Sequence, residues 1–186
     1  MMAHKNYSIS SFIPKASDIF ILDTNILIKM YYPLEYNARK SLDYEELIGK
    51  IKKCKASILI TSVQISEFIN RCIRIQYGIY KQKYSLDNLD YKTDYRSTQD
   101  YKENMNSILS IIKSDILPGS ICINDKFDCI DPDKIYRIGF SYDFNDALLV
   151  EIANLSDAYI ITNDGDFGNY TTKKPLITSN NFLLRM

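Results

Sequence analysis

The chain has 186 residues, of which 46% are hydrophobic and 25% are charged. These values are typical of a folded protein with a sizeable core and exclude an intrinsically disordered chain. Lysine plus arginine and aspartate plus glutamate number 23 each, so no overall basic charge indicates a nucleic-acid-binding protein. Because a protein with zero net charge can still have a local positive patch, this balance excludes no partner.

Several classes of protein are excluded by what the sequence lacks. No apolar stretch approaches the ~18 residues of a membrane span, and the N-terminus has no signal-peptide core. His4 is the only histidine, and we expect it in a frayed N-terminus, which excludes a Ser-His-Asp triad in the core. The cysteines form no CxxC pair and predict buried, reduced thiols rather than zinc ligands or disulfides: Cys54, Cys72, Cys122 and Cys129. We therefore expect a cytoplasmic protein with no membrane partner.

Short apolar runs and helical patterns alternate along the chain. The runs predict buried strands at 19–22, 57–61, 120–123 and 158–162, and a possible edge strand at 175–178. Strands that alternate with helices predict an α/β fold in which a mostly parallel sheet is covered by helices on both faces. We expect residues 1–186 to form a single domain.

The helical patterns lie between these runs. Apolar spacing predicts a helix over 42–54, with Ser41 or Asp43 as its cap, and a long helix capped by Ser62 after the second strand. A further helix with apolar residues at 105–112 ends at Leu117-Pro118-Gly119. The remaining helical segments are a turn opened by Asp131-Pro132, a helix over 144–155 and a turn begun by Asp166-Phe167.

Residues 76–117 differ in character from the rest. Tyrosines are interleaved there with lysine, asparagine and aspartate: Tyr77, Tyr80, Tyr84, Tyr91, Tyr95 and Tyr101. Such rings can stack on unpaired bases, but more often they pack a helical extension or an interface, which we favour. The basic side chains of this segment could contact phosphates, although a solvated face is the simpler interpretation: Lys81, Lys83, Lys92 and Arg96.

Five carboxylates are placed where the predicted strands end or the following helices start. Asp23 follows the first strand, and Asp164 and Asp166 follow the fourth. Glu67 lies about one turn into the helix after the second strand, and Asp146 opens an apolar helical segment. In a parallel sheet these positions share one edge, where such folds bind their ligands.

Each of these acids also has a structural explanation. Asp23 and Asp146 can serve a helix N-terminus, Glu67 can be a surface charge, and Asp164 and Asp166 can form a turn. These explanations do not account for the convergence of all five. Acids brought together repel one another unless a cation lies between them, and Mg²⁺ or Mn²⁺ prefers such oxygen ligands. The pattern therefore predicts a metal-dependent phosphoryl-transfer site.

Four segments of the sequence resemble those of PIN-domain proteins, in the family's order. They are Ile21-Leu22-Asp23-Thr24-Asn25, Thr61-Ser62-Val63-Gln64-Ile65-Ser66-Glu67-Phe68, Phe144-Asn145-Asp146-Ala147-Leu148 and Ile160-Ile161-Thr162-Asn163-Asp164-Gly165-Asp166-Phe167. The resemblance implies a Rossmann-like, three-layer α/β/α fold with a magnesium- or manganese-dependent nuclease site, commonly an endoribonuclease. Many small members are VapC-like toxins, which an antitoxin peptide neutralises and which often act as dimers.

Carried over residue by residue, the resemblance implies an acidic quartet of catalytic metal ligands: Asp23, Glu67, Asp146 and Asp164. Asp166 matches a frequent additional ligand, and Asn25 and Thr162 match polar positions that orient the quartet. Residues 76–117 are longer than a minimal member needs, which weakens assignment to the small toxins and predicts a helical insertion.

We therefore expect a metal-dependent endoribonuclease, with DNA as a less favoured substrate because a flap-type DNA nuclease would normally carry a more basic surface. One alternative is a PIN-like fold that binds nucleic acid or protein without turnover. Another is a receiver-like domain with a phosphoacceptor aspartate, for which Lys173 is poorly placed.

Overall fold

A computed structural model of the protein describes residues 5–32, 38–136 and 143–186, with side chains for all of these except 38–41. His4, which we expected in a frayed N-terminus, lies outside the described residues. Among the described helices, none is both long enough and apolar enough to cross a membrane.

A six-stranded sheet lies at the centre of the molecule. Its strands are β1 Tyr7–Ser8, β2 Ile19–Leu22, β3 Ser57–Ile60, β4 Ile121–Cys122, β5 Tyr159–Ile161 and β6 Ile177–Thr178. They lie in the order β1-β6-β5-β2-β3-β4, and each neighbouring pair is parallel. The predicted α/β class with a parallel sheet is confirmed.

Helices cover both faces of this sheet. They are α1 Thr24–Tyr31, α2 Ala38–Lys53, α3 Ser62–Tyr84, α4 Gln99–Ile111, α5 Pro132–Ile135, α6 Phe144–Leu155 and α7 Asn181–Leu184. Successive side chains of a strand point to opposite faces, and along β2 Phe20 and Leu22 pack into one hydrophobic cluster while Ile21 packs into another. The first cluster includes buried residues of α1–α4 and the second those of α5–α7, so the three-layer arrangement is confirmed.

The strand order places a crevice near the middle of the sheet. β2 lies between β3 and β5, and the chain moves outward from β2 first in one direction and later in the other. In sheets of this kind the carboxyl ends of the strands at such a reversal form the ligand-binding crevice. Asp23 directly follows β2, and Asp164 lies a few residues after β5.

Some predicted elements are wrong in detail. The run at 175–178 forms β6 at Ile177–Thr178 but is not an edge, because β1 pairs with its outer side. The helix predicted from residue 42 begins at Ala38, so neither Ser41 nor Asp43 caps it. Leu42, predicted on its inner face, is 60% exposed.

The cap of α3 also differs from the prediction. Thr61, not Ser62, is the N-cap: its hydroxyl accepts from the amide of Gln64, whose side chain accepts from the amide of Thr61. This reciprocal capping box starts α3 one residue earlier than we expected.

The thiols are less buried than predicted. All four cysteines are free, and Cys72 is buried while Cys54 is half-buried. Cys122 and Cys129 are exposed, so the prediction of burial is wrong for them. Cys122 lies on β4, the edge strand of the sheet, where one side of the strand has no neighbour to cover it.

Residues 76–117 fold as a helical extension. α3 runs to Tyr84, and the chain returns through a turn at Tyr95–Ser97 and through α4, which packs on α3. After α4 a π-helical segment, Ile112–Ile116, and a 3₁₀ turn, Leu117–Gly119, lead into β4.

Five tyrosines of this extension pack together, and we call them the tyrosine cluster: Tyr77, Tyr80, Tyr91, Tyr95 and Tyr101. Tyr95 is fully buried at its centre, with ring centroids 5.2–6.1 Å from those of the other four. The rings therefore pack the extension, as we favoured. Tyr84 contacts Tyr80 at the margin and is 51% exposed.

Candidate functional site

Asp23 lies at the carboxyl end of β2 and caps α1. Its Oδ1 accepts a hydrogen bond from the amide of Asn25 at 3.2 Å, and its Oδ2 accepts from the hydroxyl of Thr162 at 2.8 Å. The side chain is only 3% exposed. Burial, with smaller contributions from the charges of Asp164 and Glu67, raises the pKa of Asp23 to about 6 in spite of the two hydrogen bonds.

Thr162 joins Asp23 to Asp164. Its fully buried hydroxyl donates to Asp23 and accepts from the amide of Asp164 at 2.9 Å. The Oδ2 of Asp164 accepts from the side-chain amide of Asn25 at 3.3 Å, and its Oδ1 accepts from the amide of Asp166 at 3.0 Å. The hydroxyl of Thr162 and the side-chain amide of Asn25 thus orient the carboxylates of Asp23 and Asp164, which follow β2 and β5.

Glu67 reaches the same region from α3. The hydroxyl of Thr24 donates to its Oε2 at 2.9 Å, and Arg71 donates to its Oε1 at 3.3 Å. Its side chain is 23% exposed. Glu67 therefore faces the end of β2 rather than solvent, because Thr24 directly follows Asp23 in the chain.

Asp146 comes from the first turn of α6 but does not cap that helix. The cap is Asp143, whose Oδ1 accepts from the amides of Asn145 and Asp146. The carboxylate of Asp146 is consequently available to the site. Burial, followed by the charges of Asp23, Asp143, Asp164 and Glu67, raises the pKa of Asp146 to about 8.

Four of the predicted residues lie at the carboxyl edge of the sheet. Thr162 bridges Asp23 and Asp164, Thr24 joins Glu67 to the end of β2, and the charges of Asp23, Asp164 and Glu67 act on Asp146. We call Asp23, Glu67, Asp146 and Asp164 the acidic site. A cleft is lined by Asp23, Glu67 and Asp146 together with Thr24, Asn145 and Gln64. Apolar side chains complete the wall of this cleft: Val63, Leu148, Leu149 and Ile152.

Asp166 is not drawn into this site. It is exposed, and it is not among the charges that contribute to the raised pKa values of Asp23 and Asp146. Its backbone amide instead completes the turn that Asp164 caps. Asn25 and Thr162, predicted as orienting residues, contact Asp164 and Asp23 directly.

Three contacting residues were not predicted from the sequence. Thr24 holds Glu67, Asp143 caps α6, and the buried Gln64 donates from Nε2 to the carbonyl of Leu22 at 2.6 Å. For Gln64 a signal was present, because Thr61 and Gln64 have the spacing of a capping box. A signal was also present for Asp143, because it directly precedes the predicted helix over 144–155 and aspartate is a preferred N-cap residue. Thr24 has no such signature.

The donor set of the acidic site matches a hard divalent cation. All four groups are carboxylates, which such ions prefer. The pKa values of Asp23 and Asp146 are raised mainly by burial and secondarily by neighbouring negative charges, and a bound cation would offset both effects. Over the described ranges, no three Asp, Glu, Cys or His side chains are already arranged as a set of metal ligands. The carboxylates must therefore turn toward one another to share an ion.

Comparison with known proteins finds similarity among solved structures. No family model matches the chain, and neither does any curated protein. Among solved structures, a chain of the crystal structure of VapBC2 from Rickettsia felis bound to a DNA fragment from their promoter is 23% identical, covering 87% of this chain and 98% of that one, with a TM-score of 0.43. A similarity at this level does not identify an activity, so we base the function on the acidic site and the motifs that form it.

Proposed function

We propose that this protein is a magnesium- or manganese-dependent endoribonuclease that hydrolyses RNA phosphodiester bonds. The observation that carries the proposal is the convergence of Asp23, Glu67, Asp146 and Asp164 at the carboxyl edge of the sheet, beside the strand-order reversal. The PIN-like order of the four motifs supports the same activity.

The metal would be held by carboxylates from all three layers of the fold, namely the edge of the sheet, helix α3 and helix α6. Asp23 and Asp146 would anchor the main ion, Asp164 would complete or bridge it, and Glu67 would orient water or a second ion. When bound, Mg²⁺ or Mn²⁺ supplies a water of lowered pKa and positive charge beside the phosphate.

The protein's own contribution is to orient part of each carboxylate before an ion binds, so that only a limited rotation would bring them together. Thr162 donates to Asp23, Asn25 donates to Asp164, and Thr24 donates to one oxygen of Glu67. Because the orienting donors use only part of each carboxylate, lone pairs remain for an ion. Attack by water would require no covalent intermediate.

RNA is the favoured substrate because the zero net charge offers little general attraction to duplex DNA. The test is incubation of the purified chain with single-stranded RNA, tRNA and DNA, in manganese and in EDTA. We expect internal cleavage of RNA in manganese and none in EDTA. Manganese binding without cleavage of any of these nucleic acids would instead favour a non-catalytic binding module.

We further propose that the protein is the toxin of a toxin–antitoxin pair. This role rests on the PIN-like motifs, whose small VapC-like members are neutralised by an antitoxin and often form dimers. Expression of the chain with its neighbouring genes, followed by purification through this chain, tests it. A small co-purifying protein that abolishes cleavage is expected, and full activity in the presence of every neighbouring gene product would contradict a toxin–antitoxin pair.

A further inference from the structure

A second groove opens beside the acidic site, between α1 and α3. It is lined by Asn25, Ile28, Arg71, Arg74 and Ile75, and we call it the arginine groove. Two of these residues also touch the acidic site: Asn25 donates to Asp164 and Arg71 donates to Glu67, each at 3.3 Å. The groove is therefore continuous with the position where a substrate phosphate would be cut.

The charge of this groove is opposite to that of the acidic site. Arg71 and Arg74 are three residues apart on α3, a spacing that places both on one face of the helix, and both are exposed. A guanidinium group has five N–H donors, and the described hydrogen bond from Arg71 to Glu67 uses one of them. No ion pair of the described residues involves Arg74, so its charge is available to a ligand.

The tyrosine cluster holds Arg74 in position. Its guanidinium lies 3.7 Å from the ring centroid of Tyr91, and that ring packs against Tyr77 and Tyr95 with centroids 5.4 and 6.1 Å apart. A stacked arginine loses less freedom when it binds a phosphate than a mobile side chain does. The helical extension would thus contribute to substrate binding by positioning Arg74, and its tyrosine rings would not stack on bases.

We propose that Arg71 and Arg74 bind backbone phosphates of a single-stranded RNA that runs along the arginine groove into the acidic site. The choice of RNA as occupant rests on the proposed nuclease function. The planar fork of an arginine matches the geometry of a phosphate. A single strand fits better than a duplex because Asp23 is 3% exposed, so the backbone must bend into the cleft.

The test measures RNA binding apart from cleavage. Binding of a fluorescein-labelled single-stranded RNA is followed by anisotropy over a salt series in magnesium, with Asp146→Asn present in every variant. Arg74→Gln should weaken binding about tenfold. It should also reduce the slope of log affinity against log salt by about 0.7, and the double variant Arg71→Gln, Arg74→Gln by about 1.4.

Two matched variants control this measurement. Arg96→Gln removes an exposed arginine that also lies over a tyrosine ring, that of Tyr101 at 5.8 Å, but that does not line the groove. It should leave affinity and slope unchanged. Arg74→Lys keeps the charge and should keep most of the slope. Thermal unfolding checks that each variant is folded, and a folding failure of Arg74→Gln would leave Arg71→Gln to carry the test.

The outcomes separate this inference from the proposed nuclease. An unchanged slope in Arg74→Gln and Arg71→Gln, or no binding of RNA at all, overturns the arginine groove. A labelled glutamate-rich peptide tests the alternative occupant. If the parent chain binds this peptide and the two arginine variants do not, while their RNA binding stays intact, the inference is overturned and the groove is assigned to an acidic protein. RNA binding that depends on Arg74 without cleavage by the parent chain keeps the groove and refutes the nuclease.

Discussion

Helix α3 contributes side chains to both the acidic site and the tyrosine cluster, and the two regions affect stability in opposite directions. Near its start, Glu67 joins carboxylates whose burial, with a smaller contribution from their mutual repulsion, raises the pKa values of Asp23 and Asp146. Further along, Tyr77 and Tyr80 pack around the fully buried Tyr95. The first arrangement costs stability at neutral pH and the second contributes it. The comparison indicates that this chain separates its chemistry from the packing that supports it.

Truncation of the tyrosine cluster should give the largest loss of stability. Tyr95→Ala removes a buried ring that contacts four others, and we expect the free energy of unfolding to fall by about 3–5 kcal/mol. Urea denaturation measures the change.

The control for this variant is Tyr84→Ala, because Tyr84 is 51% exposed. Its effect should stay within about 0.5 kcal/mol. Equal stabilities of the two variants would show that the cluster does not support the fold.

The acidic site should make the protein less stable as pH rises. The pKa values of Asp23 and Asp146 are raised from 3.8 to about 6 and about 8, so the folded state binds more protons than the unfolded state over this range. The free energy of unfolding should therefore fall between about pH 4 and about pH 8 and level off above it. Urea denaturation across this range, without divalent cations, measures the slope.

Asp146→Asn should remove much of this slope and make the protein more stable than the parent at pH 8, the upper end of the range set by the pKa of Asp146. Asp166→Asn is the matched control, because Asp166 is exposed and is not among the charges that raise the pKa values of Asp23 and Asp146. It should keep the slope of the parent. A free energy of unfolding that rises between about pH 4 and about pH 8 would contradict the raised pKa values of Asp23 and Asp146.

The smallest effect is expected at the start of α3, which precedes both regions in the chain. Thr61→Val removes the capping hydroxyl and should cost about 1 kcal/mol of stability. Ser62→Ala alters the exposed neighbour that the sequence predicted as the cap, and should cost less than about 0.5 kcal/mol. Thermal unfolding compares the two, and a larger loss in Ser62→Ala would reverse the assignment of the cap.

The sheet was predictable where strands are apolar on both faces. β2, β3 and β5 appear in the sequence as short aliphatic runs because helices cover both sides of the sheet. β1 was missed because two residues, Tyr7–Ser8, show no periodicity. Pro175 favours an edge strand at 175–178, and the neighbour that covers this edge is β1, for which the sequence has no signal.

The sequence predicts which residues of the acidic site lie at the edge of the sheet, but it does not predict which side chains contact them. A carboxylate after a strand predicts an edge, which places Asp23 and Asp164. It does not distinguish Asp164 from Asp166, two residues apart, because the turn geometry decides which one faces inward. The role of Thr24 depends on the side chain of Glu67 from another helix, and no local pattern encodes such a contact.

The central claim is most directly tested by cleavage of single-stranded RNA by the parent chain and by Asp146→Asn, in manganese and in EDTA. The side chain of Asp146 makes no hydrogen bond within the described residues, so this substitution should leave the fold intact. We predict manganese-dependent cleavage by the parent and none by the folded variant. Equal cleavage by the two proteins would contradict the assignment of the acidic site.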